Sequence, residues 1–228
     1  MNNTINTPDL FSNSQLQFIT NQWSETPVPE QVEEVCKGGG RWIQLRLKNT
    51  DPDSWYEIGK EVHKICRKYG AKLIINDHVE FAFRMHADGV HLGKEDMNPR
   101  KARQILGPEK IIGGTANSAE EIIKLYHKGV DYAGLGPFRH TETKQKLAPT
   151  LGYEGIKTII EILRDRDISL PIFAIGGIEN DHIPELLATG ISGVVISSSI
   201  ANSENIQKST SQFIRTLTHA KEHVNNRE

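Results

Sequence analysis

Short apolar runs ending in polar or glycine-rich turns alternate along this chain with longer segments whose apolar positions recur every three or four residues. The short runs are LQFIT (16–20), RWIQLRL (41–47), KLIIN (72–76) and GVHL (89–92), then KIIGGT (110–115), YAGLG (132–136), PIFAIG (171–176) and GVVISSSI (193–200). Their length and β-branched content predict strands. Between them, DSWYEIGKEVHKICRKYG places Trp55, Ile58, Val62, Ile65 and Tyr69 on one stripe and stops at Gly70, the pattern of an amphipathic helix with a C-terminal glycine. SAEEIIKLYHKG opens on Ser118 with Glu121 three residues on, which predicts a capping box, and closes on Gly129. YEGIKTIIEILRD and NDHIPELLATG follow the same logic, and the segment from Ser203 to Val224 reads as a last helix.

Strict strand–helix alternation implies parallel strands, because each crossover carries a helix over the sheet face. Eight units over about 200 residues favour one closed (β/α)8 TIM barrel, an α/β fold, over an open doubly wound sheet. No linker-like stretch divides the chain. Residues 1–14 read as a flexible polar lead-in and residues 15–224 as a single barrel domain. Polar residues at the C-terminal ends of the strands are then the candidates for chemistry, since active sites of this barrel lie there.

Composition narrows the class without changing the fold. The formal net charge of −2 gives no electrostatic reason to expect nucleic acid or an anionic membrane as partner. No apolar run approaches the roughly 18 residues of a membrane span, and the opening residues lack the basic and apolar regions of a secretory signal. Cys36 and Cys66 fall in helical segments and read as two reduced thiols in a cytoplasmic protein.

Candidate chemistry gathers at the strand ends. QLRLK alternates Gln44, Arg46 and Lys48 with Leu45 and Leu47, so the amide and two cations share one face while the leucines take the other. Inward cations require anions, either a structural ion-pair network or a polyanionic substrate. Asn76 and Asp77 end the third run, and Asp96 stands in the loop after the fourth. Two carboxylates on adjacent loops suit a shared Mg²⁺, which takes one or two protein carboxylates and leaves other positions to water and phosphate. The alternative for each aspartate is a helix cap. GPFRHTETK follows the sixth run, with the hydroxyls of Thr141 and Thr143 and the charge of Lys144. Gly176 and Gly177 end the seventh run, and Ser197, Ser198 and Ser199 lie at the end of the eighth. Loops after the last two strands are the usual phosphate site of this fold. Two anion sites on one rim suit an enzyme that joins two phosphorylated substrates. His91 reads as a hydrogen-bonded core histidine.

In their order, QLRLK, IIND, DGVHLGKED, GPFRHTETK, AIGGI and the terminal serine strand resemble the thiamine phosphate synthase (thiamine phosphate pyrophosphorylase) family over nearly the whole chain. The family joins hydroxymethylpyrimidine diphosphate to a thiazole phosphate, forming thiamine phosphate and diphosphate. By that resemblance Gln44, Arg46, Lys48 and Asn76 bind the pyrimidine diphosphate, with Asp77 and Asp96 holding Mg²⁺. Thr141 and Thr143 contact the thiazole substrate and Lys144 the diphosphate; Gly177 and Ser198, beside Ser197, take the thiazole phosphate. Thr115 fills a position usually serine, and Asn117 one where histidine is common, while Arg139 and His140 are unusual in their loop. Arg46, Lys48 and Lys144 are the groups expected to neutralise departing diphosphate. The expected partners are these two small molecules, with no nucleic acid or membrane, and a homodimer is left open. Two alternatives stand beside this expectation. A related thiazole tautomerase would not need the carboxylate pair or TETK, and a catalytically silent phosphate-binding barrel would be expected to have lost part of the metal set.

Overall fold

The computed structural model describes residues 15–140 and 149–225; the expected lead-in over residues 1–14 lies outside them. Eight parallel strands close into a barrel in sequence order: β1 (Leu16–Ile19), β2 (Trp42–Leu45), β3 (Lys72–Asn76), β4 (Gly89–Leu92), β5 (Ile111–Ala116), β6 (Tyr132–Leu135), β7 (Ile172–Ile175) and β8 (Gly193–Ile196). Closure is made by β1 on β8, with Leu16 beside Val194 and Phe18 beside Ile196. The crossovers carry α1 (Val28–Lys37), α2 (Pro52–Tyr69), α3 (Val79–Arg84), α4 (Pro99–Leu106), α5 (Ala119–His127) and α6 (Gly152–Asp165). A 3₁₀ turn (Asn180–His182) leads into α7 (Ile183–Ala188), and α8 (Ser198–Ala201) and α9 (Ile206–Asn225) follow β8.

Local chemistry explains the boundaries. Asp51 caps α2 by accepting from the Ser54 N–H at 3.0 Å, and the helix stops where Gly70 takes a left-handed φ of 63°. Ser118 caps α5 as expected, but the Glu121 carboxylate reaches past it and accepts from the Asn117 N–H at 2.7 Å. Several expected strands are shorter, β2 and β8 by the most. β2 ends at Leu45, so Arg46 and Lys48 lie beyond the ladder. β8 ends at Ile196; the serines that were expected to extend it instead start the single turn of α8.

The strands separate two apolar layers. Leu45, Leu47, Ile75 and Val90 point outward into the larger cluster beneath the helices. Ile19, Trp42, Ile74, Ile111, Tyr132, Phe173 and Val195 fill the barrel itself. Trp42 meets Tyr132 and Phe173 edge-on at centroid distances of 4.9 and 4.8 Å, contacts worth about 0.5–1.5 kcal/mol each beyond burial. Gly113 makes this layer possible, because a Cβ there would lie 2.2 Å from the Tyr132 ring.

The N-terminal face of the barrel is closed by a repeated clamp. Asp88 donates its N–H to the Leu73 carbonyl (2.9 Å) and accepts the Leu73 N–H at its carboxylate (2.8 Å). Asp131 does the same with Ile112, at 2.7 and 2.7 Å. Ser192 repeats it on Ile172, at 2.7 and 3.2 Å. These side chains satisfy main-chain N–H groups that would otherwise go unpaired where the ladder begins, in keeping with the structural role of this face.

Candidate active site

At the C-terminal mouth, the alternation in QLRLK resolves as its period requires. Leu45 and Leu47 pack outward, and Gln44 is buried inside the barrel, donating from Nε2 to Gln17 Oε1 at 3.1 Å. Arg46 and Lys48 stand past the end of β2, where side chains of the β1 loop replace strand pairing. Thr20 Oγ1 accepts the Arg46 N–H at 2.9 Å and faces its carbonyl at 3.2 Å. Gln22 accepts the Lys48 N–H and donates to its carbonyl at 2.7 Å. The Arg46 guanidinium lies 5.5 Å from the ring centre of Trp23, an exposed tryptophan in the same loop. Burial pushes the Arg46 pKa down, and the charge of Asp77 opposes this.

Lys48 Nζ pairs with Asp77 Oδ2. Asp77 has a left-handed φ of 65°, a conformation costly for most side chains but tolerated by Asp and Asn. Asp96 accepts the Gly93 N–H at 2.6 Å and lies within hydrogen-bonding reach of Asp77. Neither carboxylate caps a helix: His78 holds the N-cap position of α3, and Asn98 caps α4 by accepting from Arg100 N–H at 3.0 Å. The pair ionises unequally. Burial would raise Asp77, but hydrogen bonds from Asp96 and Lys48 outweigh it and hold this carboxyl below its ordinary value. Asp96 is pushed up by burial and then by Asp77 itself, against the Gly93 N–H. Two carboxyls that compete for one proton match the donor set of a divalent cation, which relieves their repulsion. Among the described residues there is no cluster of three or more such ligands, so a cation here would take its remaining partners from water or substrate.

Asn76, the last residue of β3, is largely buried beside His91 in register. His91 is hydrogen-bonded on both ring nitrogens, Nδ1 to Tyr132 Oη at 3.0 Å and Nε2 to Thr115 Oγ1 at 2.9 Å. Thr115 itself is half-buried near the end of β5.

On the other side of the mouth, the Asn117 amide donates to the Gly136 carbonyl and ties the end of β5 to the loop after β6. Phe138 and Arg139 donate their N–H groups to the carbonyls of Ile175 (2.9 Å) and Gly176 (3.0 Å). Gly177 has φ of 64°, and a Cβ there would lie 2.7 Å from the His140 carbonyl oxygen and 2.9 Å from Arg139 Cβ. Arg139 and His140, which had no assigned part, thus form the wall against which Gly177 packs. The Ser199 hydroxyl lies 2.8 Å from both the Ile178 carbonyl and the Glu179 carboxylate, either of which can accept its one proton, and so joins the loops after β7 and β8. Ser197 and Ser198 stand at the start of α8, beside that junction. Thr141, Thr143 and Lys144 lie outside the described residues.

The residues expected from sequence at the ends of β2, β3 and β4 are therefore brought together as one cation–carboxylate cluster. Sequence reasoning missed Thr20, Gln22 and Trp23. The signal for the last was available, as an aromatic residue isolated in the polar stretch TNQWSET.

Comparison with known proteins bears on the family and the fold. The family model described as thiamine monophosphate synthase matches residues 16–200. The chain is similar to the thiamine-phosphate synthase of Phocaeicola vulgatus, 45% identical over 191 residues that span 84% of this chain and 92% of that one. It is also similar to the thiamine-phosphate synthase of Bacteroides thetaiotaomicron, 41% identical over 87% of this chain and 95% of the relative. Among solved structures, a thiamine phosphate pyrophosphorylase from Pyrococcus furiosus superposes with a TM-score of 0.82 at 34% identity, covering 92% of this chain and 98% of the other. On the family match over residues 16–200, the identity with these relatives and the shared barrel, the chain belongs to the thiamine monophosphate synthase family.

Proposed function

We infer that this chain is a thiamine-phosphate synthase that joins hydroxymethylpyrimidine diphosphate to thiazole phosphate at the C-terminal mouth of the barrel. The observation that carries the reading is the cluster of Arg46, Lys48, Asp77 and Asp96, two cations and two carboxylates converging where a diphosphate must be held. Gln44 and Asn76 lie deeper, at the ends of their strands, and are assigned to the pyrimidine. Thr115, with Arg46 and Lys48, is assigned to its diphosphate. Gly177, Ser197 and Ser198 are assigned to the thiazole phosphate by family resemblance and by their place after the last two strands, the usual phosphate site of this fold. Thr141 and Thr143 complete the thiazole side, and Lys144 the diphosphate side, by family resemblance.

The chemistry requires charge stabilisation more than a nucleophile. Breaking the bond between the pyrimidine methylene and diphosphate moves negative charge onto the leaving group. Arg46 and Lys48, with Lys144 by family resemblance, would hold that charge as it develops. Asp77 and Asp96 would hold Mg²⁺, which supplies Lewis-acid neutralisation of the same oxygens. The opposite wall orients the thiazole nitrogen toward the methylene carbon, and the gain there is proximity. The two buried free thiols suit a reducing, cytoplasmic setting. No helix among the described residues is long and apolar enough to cross a membrane.

The test is diphosphate release with both substrates and Mg²⁺ present, compared with each substrate alone. Release only with the pair is the expected result. No release from the wild type, or full activity in Asp77→Ala, would overturn the assignment.

A further inference from the structure

A chain of buried polar side chains crosses the barrel beneath the proposed diphosphate site. Gln44 Nε2 donates to Gln17 Oε1 at 3.1 Å, and Gln17 Nε2 donates to Tyr132 Oη at 3.0 Å. Tyr132 Oη meets His91 Nδ1 at 3.0 Å, and His91 Nε2 meets Thr115 Oγ1 at 2.9 Å. Gln17 and Tyr132 are fully buried, while His91 is 7% exposed. At its far end, half-buried Thr115 lies near the mouth.

The chemistry of each group gives this chain a direction. An amide nitrogen can only donate, so the Tyr132 oxygen accepts from Gln17 and its own proton is available to His91 Nδ1. A neutral imidazole that accepts at Nδ1 carries its proton on Nε2. In that tautomer the Nε2 proton goes to Thr115 Oγ1, and the hydroxyl hydrogen of Thr115 is turned away from His91. The opposite polarity would present an oxygen lone pair there, which repels an anion.

We propose that Gln17, Tyr132 and His91 are positioning residues whose one-way hydrogen-bond relay locks His91 as the Nε2–H tautomer and aims the Thr115 hydroxyl proton at the diphosphate. The inference rests on the reading of Thr115 as a diphosphate contact. It gives a job to polar groups inside the barrel that apolar side chains of similar size could otherwise fill. It also makes specificity for an anion at Thr115 a property set by a glutamine two residues up the relay from the histidine.

The isosteric substitution Gln17→Glu is the sharp test, because a carboxylate accepts where the amide donates. Tyr132 would then donate downward, His91 would carry its proton on Nδ1, and Thr115 would donate to His91. Ring ¹⁵N shifts of histidine-labelled protein report the tautomer directly, with His91 assigned by the signal lost in His91→Gln. The expected result is Nε2–H in the wild type and Nδ1–H in Gln17→Glu. With it, KM for the pyrimidine diphosphate rises about ten- to a hundredfold while KM for thiazole phosphate holds, the loss of one hydrogen bond to a charged group. Should Gln17→Glu fail to fold, Tyr132→Phe serves: it removes the phenol proton, and a mixed His91 tautomer with the same KM split is expected. An Nδ1–H tautomer in the wild type, or unchanged ring shifts and KM in the folded variants, overturns the relay. Thr115→Ala separates the two layers: unchanged KM for the pyrimidine diphosphate refutes the role of Thr115 and the relay's purpose, whatever the tautomer of His91.

Discussion

The side-chain amide of Gln22 closes on the main chain of Lys48 from both sides, accepting its N–H and donating to its carbonyl at 2.7 Å. Lys48 lies beyond the last ladder residue of β2, so this amide stands in for a strand neighbour. Gln22→Ala removes both bonds at once. It is expected to destabilise the fold by only about 1–2 kcal/mol, because the site is open enough for water to replace part of the loss. The larger effect is on KM for the pyrimidine diphosphate, which should rise several-fold as Lys48 loses its fixed position. Steady-state kinetics beside a denaturant melt check both, and an unchanged KM would remove Gln22 from the site's support.

Trp23 holds the guanidinium of Arg46 across a 5.5 Å cation–π contact. At an exposed ring such a contact is worth about 0.5–1 kcal/mol. Trp23→Ala should therefore raise KM for the pyrimidine diphosphate by about two- to fivefold with little change in melting temperature. Trp23→Phe, which keeps an aromatic face, should recover most of the loss. Equal effects of the two variants would point to bulk rather than to the ring.

The unequal ionisation of Asp77 and Asp96 has a pH signature. Asp96, raised in the folded metal-free protein, contributes stability below its ordinary pKa that is lost as pH rises through the raised value. Asp77, held down, contributes stability above its ordinary pKa that is lost as pH falls through the depressed value. Between them one proton resides on Asp96, and a divalent cation must displace it. The rise in melting temperature on adding Mg²⁺ should thus be largest above the Asp96 titration and shrink on acidification through it. Asp77→Asn is the cleaner probe, since asparagine tolerates the left-handed backbone that alanine would strain. It should abolish the Mg²⁺ shift. A shift that persists in Asp77→Asn would place the cation elsewhere.

Gly177→Ala should damage both fold and site. The backbone there has φ of 64°, and a methyl would press on the His140 carbonyl at 2.7 Å, where the contact is main chain rather than a side chain that can swing aside. A loss of about 1–3 kcal/mol is expected from strain of this type. The rise in KM should fall on thiazole phosphate and spare the pyrimidine diphosphate. A selective effect on the pyrimidine diphosphate instead would reverse the assignment of the two sides.

Much of this arrangement was legible before folding, for reasons that particular residues make plain. The period-two alternation of Gln44, Arg46 and Lys48 with Leu45 and Leu47 is a local property, and local properties survive into the fold. The strand limits were less legible. SSSI after β8 carries no breaker, so nothing in the apolar pattern marks the change from strand to the turn of α8 at Ser198. The cap readings of Asp77 and Asp96 were not taken up, because Asn98 stands closer to its helix and His78 occupies the other N-cap position. Thr20 and Gln22 were invisible because each acts on a main chain 26 residues away, where pattern carries no information about pairing. The relay through Gln17, Tyr132 and His91 is hidden for the same reason, with Gln17 and Tyr132 separated by 115 residues.

The three clamps on the N-terminal face bear on how such a barrel is assembled. Asp88 and Leu73 are 15 residues apart, Asp131 and Ile112 are 19, and Ser192 and Ile172 are 20, so each clamp lies within one strand–helix–strand unit. Closing so short a loop costs little chain entropy compared with the union of β1 and β8, whose partners Leu16 and Val194 stand at opposite ends of the domain. The barrel floor is thus built from strand pairs that can form locally and early, leaving the ring to be sealed last by its most distant partners.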